Sequence, residues 1–175
     1  MDISKELAKN QTMLLLMPGT EYNHIIVDNM KKLKGKNVCY VTLNKTFDSL
    51  KELFKKSKVK TDNIVFIDAI SKTIKSVPDQ GEGVYYVSSP GAMTELSLTI
   101  DKFLKHGFDY IIFDSLTNLM VYESKAPVAK FVASLVNKIK AGKTKAVFYA
   151  LSVKEQNALI EESGMFVDKV LDMDK

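Results

Sequence analysis

The sequence contains no arginine and no tryptophan: the combined Lys+Arg count of 25 is all lysine, and Cys39 is its one cysteine. Arginine supplies the bidentate phosphate clamps and arginine fingers of phosphoryl-transfer enzymes, and the lysine ammonium does not reproduce that planar fork. A lone cysteine excludes a disulfide within the chain and a metal site built from several thiolates. Since Cys39 lies in the apolar stretch NVCYVTL, we expect it to be a buried core residue.

Long hydrophobic runs are also missing. Uninterrupted apolar runs such as residues 13–17 and 146–151 are much shorter than the ~20 residues of a membrane-spanning helix. The opening MDISKELAKNQ has no apolar segment after a basic start, so it does not resemble a secretory signal. We therefore expect a cytoplasmic protein without membrane association. The net charge of +4 is mild, and it permits but does not favour contact with a polyanion.

What the chain does have is a regular alternation of apolar runs and helical patterns over its 175 residues, the length of one domain. Most of the apolar runs are continuous, as in YIIFD and AVFYAL, and this is typical of strands covered on both faces of a parallel sheet. The predicted strands are 12–17, 37–43, 63–67, 83–88, 109–114, 145–151 and 165–172.

Between these strands the sequence predicts five helices with recognisable ends. They are 25–35, 47–57 capped by Thr46, 90–107 with Pro90 as first helical residue, 126–142, and 152–164 with a capping box of Ser152 and Glu155. Residues 71–82 are predicted to form a surface loop. Short connections between alternating strands and helices predict a three-layer α/β sandwich, a mostly parallel sheet flanked by helices, as a single domain over 1–175.

Two segments together resemble a known family. Residues 12–35, TMLLLMPGTEYNHIIVDNMKKLKG, read as strand, turn and amphipathic helix, and residues 108–119, FDYIIFDSLTNL, place Asp-Ser after an apolar strand. They resemble the RecA/KaiC branch of P-loop ATPases, and VCYVTLNKTFDSL, VYYVSSPGAMTELSLTIDKFL and SGMFVDKVL are similar to other segments of that branch. The resemblance implies a RecA-like core in which Asp114 would hold magnesium through water, followed by Ser115.

The phosphate-binding loop departs from this family. A working loop has the pattern GxxxxGK[ST], in which backbone N–H groups and the lysine hold the phosphates and the hydroxyl binds magnesium. Here the interval reads MPGTEYNH. Gly19 is its one glycine, Thr20 its one serine or threonine, and no lysine occurs between Asn10 and Lys31. The sequence therefore predicts a degenerate Walker A motif.

Glu21 adds a second obstacle to nucleotide binding. The amino terminus of a helix attracts anions through its unpaired N–H groups and its dipole. We expect the Glu21 carboxylate to occupy these groups itself. It would also repel a triphosphate, since two like charges ~4 Å apart cost roughly 4 kcal/mol at an effective dielectric constant of about 20.

The catalytic acid of the family is replaced as well, because Asn44 and Lys45 stand where a glutamate is expected after the second strand. No residue is assigned a catalytic or metal-binding role, and no cofactor is expected, binding of ATP with magnesium being disfavoured. The residues at the carboxyl ends of the strands form a vestigial nucleotide pocket. Its members are Gly19, Thr20, Glu21, Tyr22, Asn23, Asn44, Lys45, Asp114 and Ser115.

These features favour a catalytically inactive RecA/KaiC-like domain that acts through a protein partner or as a homo-oligomer. The alternatives are a protein that binds a small ligand or nucleotide at the carboxyl ends of the strands, and a weak ATPase. A flavodoxin-like or receiver-like domain is a further alternative, which the strand order would decide. Nucleic-acid binding is disfavoured because the lysine runs at 31–36 and 55–60 lie at helix ends, and because the sequence has no arginine, no long basic tail and no aromatic residues interleaved with these lysines.

Overall fold

The protein is described by a computed structural model that covers residues 1–174. Its centre is one eight-stranded sheet with the order β4-β5-β3-β2-β6-β7-β1-β8, in which β4 pairs antiparallel with β5 and the other pairs are parallel. The strands are β1 Thr12–Met17, β2 Val38–Thr42, β3 Ile64–Asp68, β4 Gln80–Gly81, β5 Val84–Tyr86, β6 Tyr110–Asp114, β7 Lys145–Leu151 and β8 Lys169–Asp172.

Helices connect these strands and cover both faces of the sheet. They are α1 Ile3–Lys9, α2 Tyr22–Lys32, α3 Phe47–Lys56, α4 Ser71–Ile74, α5 Met93–Lys105, α6 Leu116–Tyr122, α7 Lys125–Lys140 and α8 Asn157–Gly164. Two 3-10 turns, Gly19–Glu21 and Lys154–Gln156, lead directly into α2 and α8.

Two hydrophobic cores lie on opposite faces of the sheet. Helices α5 to α8 pack on one face, where Phe113 lies 5.8 Å from Phe131 and 5.7 Å from Phe148 between ring centroids. Helices α1 to α3 pack on the other face. The predicted three-layer α/β sandwich is thus confirmed, and so is the burial of Cys39, which is fully enclosed. Burial raises the pKa of the Cys39 thiol, so this thiol stays protonated and unreactive.

The order of the strands decides between the fold alternatives. Strand β1 lies between β7 and β8, and β6 lies between β2 and β7. A flavodoxin-like or receiver-like sheet has the order 2-1-3-4-5 and therefore places β1 beside β2. The flavodoxin-like alternative is therefore wrong for this chain.

Several predicted boundaries differ from the structure. Helix α5 begins at Met93, because Pro90 lies in a turn in which the Ala92 N–H donates to the Ser89 carbonyl. The capping box at Ser152 does not form: a 3-10 turn follows Val153, and the described residues give it no side-chain cap. Strand β8 begins at Lys169, four residues later than predicted.

Four short elements were not predicted: α1, α4, α6 and β4. Two of them, α4 and β4, lie in residues 71–82, which the sequence predicts to be a loop. Within residues 1–174, no helix combines the length and the apolar character needed to cross a membrane.

Candidate functional site

The parallel strands bring the predicted pocket residues to one edge of the sheet. Gly19, Thr20 and Glu21 form the 3-10 turn after β1, and Tyr22 and Asn23 begin α2. Asn44 and Lys45 follow β2, whereas Asp114 ends β6 and is joined to Ser115 by a cis peptide bond. Since parallel strands end at the same edge, all nine lie on the carboxyl side of the sheet.

Asp114 is the centre of this edge. Its side chain is fully buried, and its Oδ2 atom accepts a hydrogen bond of 2.5 Å from the hydroxyl of Tyr40. Its Oδ1 atom accepts a second hydrogen bond, 3.3 Å long, from Nδ2 of Asn44. Burial raises the pKa of Asp114 well above its ordinary value. Both carboxyl oxygens are therefore engaged within the protein.

Two further residues extend the contacts of Asn44 toward the surface. Its Nδ2 atom also donates to the hydroxyl of Tyr22 over 3.3 Å. The ammonium of Lys45 lies 5.2 Å from the centroid of the Tyr22 ring, in a cation-π arrangement. Burial lowers the pKa of Lys45. Tyr22, Tyr40, Asn44, Lys45 and Asp114 together form what we call the aspartate cluster.

A second buried polar pair lies beside the aspartate cluster. Tyr149 of β7 pairs in register with Asp114, and its hydroxyl accepts a 3.1 Å hydrogen bond from Nδ2 of Asn29 on α2. Tyr149 is fully buried, and burial raises the pKa of its hydroxyl. Helix α2 is thus fixed to the sheet by polar contacts at Tyr22 and Asn29 in addition to its apolar face.

The connection from β1 to α2 is a tight turn of four residues, 18–21. The N–H of Glu21 donates to the Pro18 carbonyl over 3.2 Å, and Gly19, Thr20 and Glu21 are exposed. The prediction that the Glu21 carboxylate occupies the first N–H groups of α2 is wrong, because no described side chain makes a capping hydrogen bond there. The 3-10 turn continues the helical backbone toward β1, so Glu21 lies inside this turn and its side chain faces solvent.

The remaining predicted residues are less closely connected. Asn23 is exposed on the first turn of α2, and Gly19 and Thr20 are exposed in the turn before it. Ser115 is buried, but its hydroxyl donates to Oδ1 of Asn118 over 2.6 Å and so faces α6. The structure thus brings together Tyr22, Asn44, Lys45 and Asp114, and leaves the others at the periphery.

The roles of Tyr40, Asn29 and Tyr149 were not predicted from the sequence. Tyr40 lies within an apolar strand and pairs in register with Ile112. Asp114 is therefore its diagonal neighbour on the same face of the sheet, where long side chains can meet. A tyrosine in a buried strand requires a partner for its hydroxyl, which was the available signal.

Comparison with known proteins shows similarity at the level of fold. No family model and no curated protein sequence matches the chain. Among solved structures, a KaiC-like protein from the hyperthermophilic archaeon Pyrococcus horikoshii OT3 superposes with a TM-score of 0.60. The match covers 93% of this chain and 71% of that one at 12% sequence identity. The chain therefore has a KaiC/RecA-like fold, with a mostly parallel sheet flanked by helices.

Proposed function

We propose that residues 1–175 act as one RecA/KaiC-like domain that does not hydrolyse ATP and works in the cytoplasm through contacts with a protein partner or with further copies of itself. The observation that carries this proposal is the state of Asp114. In the family that the sequence resembles, this residue would hold magnesium. Here it is fully buried, 2.5 Å from the Tyr40 hydroxyl and 3.3 Å from the Asn44 amide.

A magnesium ion does not fit these contacts. Mg²⁺ requires near-octahedral oxygen coordination and retains several of its waters. To reach the Asp114 carboxyl group, the hydrated ion would have to displace the Tyr40 hydroxyl and the Asn44 amide. It would also have to separate side chains of β2 that are now buried. Burial also raises the pKa of Asp114, which disfavours the anionic form that a cation needs.

The turn after β1 supports the same proposal. Phosphate-binding loops wrap several backbone N–H groups around the phosphates and add a lysine. The four-residue turn 18–21 has little room for such a wrap, because the Glu21 N–H already donates to the Pro18 carbonyl. Glu21 is exposed at the mouth of this turn, where its charge repels a polyphosphate.

Hydrolysis would also require a base for the attacking water. Asn44 stands at that place and is a poor proton acceptor, and its amide already donates to Asp114 and Tyr22. The neighbouring Lys45 ammonium is a cation and lies over the Tyr22 ring, so it does not supply this base either. The chain has no arginine with which to stabilise charge in the transition state.

The surface supports a role in protein contacts. Large apolar side chains are exposed on the helices of one face: Leu98 on α5 is 59% exposed, Val121 on α6 is 75% exposed, and Met165 after α8 is 82% exposed. We propose that these side chains contribute to the surface that contacts another protein.

Mg-ATP binding and turnover test the proposal directly. A ligand at 1,000 times its dissociation constant stabilises a fold by ~4 kcal/mol, which a thermal melt detects easily. We expect no melting shift with millimolar Mg-ATP and no phosphate release above a protein-free blank. Micromolar binding with measurable turnover would overturn the proposal.

The protein-contact part needs its own measurement. Sedimentation across a range of concentrations is expected to show species larger than the 19.6 kDa monomer, and fewer of them in a Leu98→Ser, Val121→Ser variant. A monomer at every concentration would exclude the homo-oligomer and leave the heterologous partner, for which affinity capture with the same variant as control is the test. Capture of the same proteins by parent and variant would count against this surface.

A second candidate function is the binding of a small ligand at the carboxyl edge of the sheet. The observation in its favour is Lys45, which is half-buried beside Tyr22 and, among residues 1–174, has no carboxylate within ion-pair distance. A metabolite screen by thermal shift tests it. A compound that stabilises the parent but not the Lys45→Gln variant would favour this function over the first.

A further inference from the structure

Two lysine runs that are distant in the sequence lie on one surface of the folded chain. Lys34 and Lys36, between α2 and β2, line a hollow of about 110 Å³ together with Lys60. Lys60 also lines an adjoining hollow of about 440 Å³. The residues that we call the lysine patch are Lys34, Lys36, Lys51, Lys55, Lys58 and Lys60.

The lysine patch concentrates unpaired positive charge. All six side chains are exposed, and none has a carboxylate within ion-pair distance in the described part of the chain. By contrast, neighbouring Lys56 pairs with Glu52 at 2.8 Å. Asp62 is the acid that lines the two hollows, so the patch carries a formal charge of +5, whereas the whole chain carries +4. The rest of the molecule is close to neutral.

The helix dipole explains only part of this arrangement. Lysines near the carboxyl end of a helix are favourable, which accounts for Lys34 after α2 and for Lys55 in the last turn of α3. Lys51 lies in the middle of α3, and Lys60 lies in the connection to β3. The charges of Lys51 and Lys60 increase the repulsion among the lysines of the patch, and no helix dipole offsets this repulsion. Such an accumulation of positive charge is typical of a surface that binds a polyanion.

Further hollows continue the lysine patch along the amino edge of the sheet. Asp62 also lines a hollow of about 200 Å³ beside His106, and this hollow shares Gly107 with one of about 830 Å³. The larger of these two hollows is lined by the exposed Lys105 and Lys143 and also by Asp101 and Asp109. The series passes the amino ends of β3, β2, β6 and β7, three strand spacings or about 14 Å. Such a track suits a charged polymer better than a single small anion.

We propose that the lysine patch binds the phosphodiester backbone of a nucleic acid without reading its base sequence. Lysine contacts phosphate as a point charge, and backbone contacts carry no sequence information. An anionic membrane is less suited, because a peripheral helix anchors itself with apolar side chains beside its basic residues. The exposed Leu98, Val121 and Met165 belong to the opposite face of the sheet.

This proposal is independent of the one for the carboxyl edge. The lysine patch lies at the amino ends of the strands, and Asp114 lies at their carboxyl ends. The sequence disfavoured nucleic-acid binding because the two lysine runs lie at helix ends and are accompanied by no arginine or interleaved aromatic residue. The fold joins them through Lys60.

Fluorescence anisotropy with a labelled single strand of about 20 nucleotides and a duplex of about 20 base pairs tests the proposal, starting near 50 mM salt. The test variant carries Lys36→Gln, Lys55→Gln and Lys60→Gln. The control carries Lys125→Gln, Lys130→Gln and Lys154→Gln, which remove the same charge from α7 and from the 3-10 turn after β7 and also break the 3.6 Å ion pair of Lys125 with Glu162. Thermal melts verify that both are folded.

We expect the affinity of the parent to fall linearly with salt on logarithmic axes. The patch variant is expected to bind at least about tenfold more weakly, with a salt slope lower by about 2 for the single strand or about 3 for the duplex. The control is expected to stay within about twofold of the parent. Failure of the parent to bind either oligonucleotide would overturn the proposal, and so would an equal loss in both variants. Binding to phosphatidylserine vesicles without binding to oligonucleotides would assign the patch to a membrane surface instead.

Discussion

The hydroxyl of Tyr40 and the carboxyl group of Asp114 meet across β2 and β6 at 2.5 Å, and both side chains are fully enclosed. The contact is diagonal, because Tyr40 pairs with Ile112 and Asp114 lies two residues further along β6. Tyr40 is itself held by Phe54 and Phe66, each with its ring centroid 5.8 Å away. An aromatic core thus fixes the donor that engages this aspartate.

Replacement of Tyr40 by phenylalanine should destabilise the fold while keeping its shape. The variant retains the ring contacts but leaves an oxygen of Asp114 buried without this donor, which typically costs about 1–3 kcal/mol. Urea denaturation measures the loss. Combined with Asp114→Asn, the same change should cost less, because the two residues contact each other and their effects are not additive. Equal costs in both backgrounds would show that the contact contributes nothing.

Asp114→Asn should change how stability depends on pH. Since burial raises the pKa of Asp114, the folded state keeps a proton that the unfolded state releases above about pH 3.9. The contribution of Asp114 to the free energy of unfolding is therefore fully present in acid, and it is lost as the pH rises toward the pKa of Asp114 in the folded state. Asparagine carries no such proton. In urea melts the variant should gain stability relative to the parent from pH 4 to pH 8, and the opposite trend would mean that the parent buries a stabilised anion.

Asp168 ties the start of β8 to the start of β1 and should stabilise the fold at neutral pH. Its Oδ1 atom pairs with Lys140 at 2.8 Å, and its Oδ2 atom accepts bonds of 3.0 Å from the N–H groups of Gln11 and Thr12. With 33% of the side chain exposed, we expect Asp168→Asn to cost about 1–2 kcal/mol. Glu161→Gln, on the exposed side of α8, is the matched control and should leave stability unchanged.

The effect of Asp168 should disappear in acid. The hydrogen bond from Lys140, and then those from Thr12, lower the pKa of Asp168. Because the pKa of Asp168 is lower in the folded state, its contribution to the free energy of unfolding is present above the unfolded-state pKa of about 3.9. This contribution is lost as the pH falls through the folded-state pKa. Parent and variant should therefore differ at pH 7 and converge near pH 2, as measured by urea melts. A constant difference would show that the charge of Asp168 is not what stabilises.

Glu21→Gln should leave the stability unchanged within about 0.5 kcal/mol. The Glu21 side chain is exposed and makes no capping hydrogen bond to α2 within residues 1–174. A thermal melt is sufficient to measure it. A loss of about 1 kcal/mol or more would mean that the carboxylate caps the helix in solution, as the sequence predicted.

The sequence predicted the fold through its continuous apolar runs, and the segments that it missed are short. Helix α1, ISKELAK, buries only Ile3 and Leu7, too few positions to establish a helical period. Helix α6 has seven residues and follows directly on Ser115, so no loop signal separates it from β6. Pro90 suggested a helix start because proline favours the first helical position, but proline suits a turn equally well.

From the sequence, the candidate site could be predicted only as a set of residues that follow the ends of parallel strands. Asn44 and Asp114 could be placed together because both follow parallel strands. Their contact with Tyr40 depends on β2 and β6 being neighbours, and apolar runs do not encode strand order. The same limit applies to Lys36 and Lys60, which are far apart in the sequence and meet only because β2 lies beside β3.

Because the strands of the sheet run mostly parallel, their amino ends and their carboxyl ends form two separate surfaces that can bind two ligands at once. The five residues of β6 separate the two ends of the strands by about 16 Å. A nucleic acid bound at the lysine patch would therefore not obstruct a small ligand at the carboxyl edge, where the aspartate cluster lies. The two ends of the strands thus form two separate surfaces of one sheet, and each can bind its own ligand.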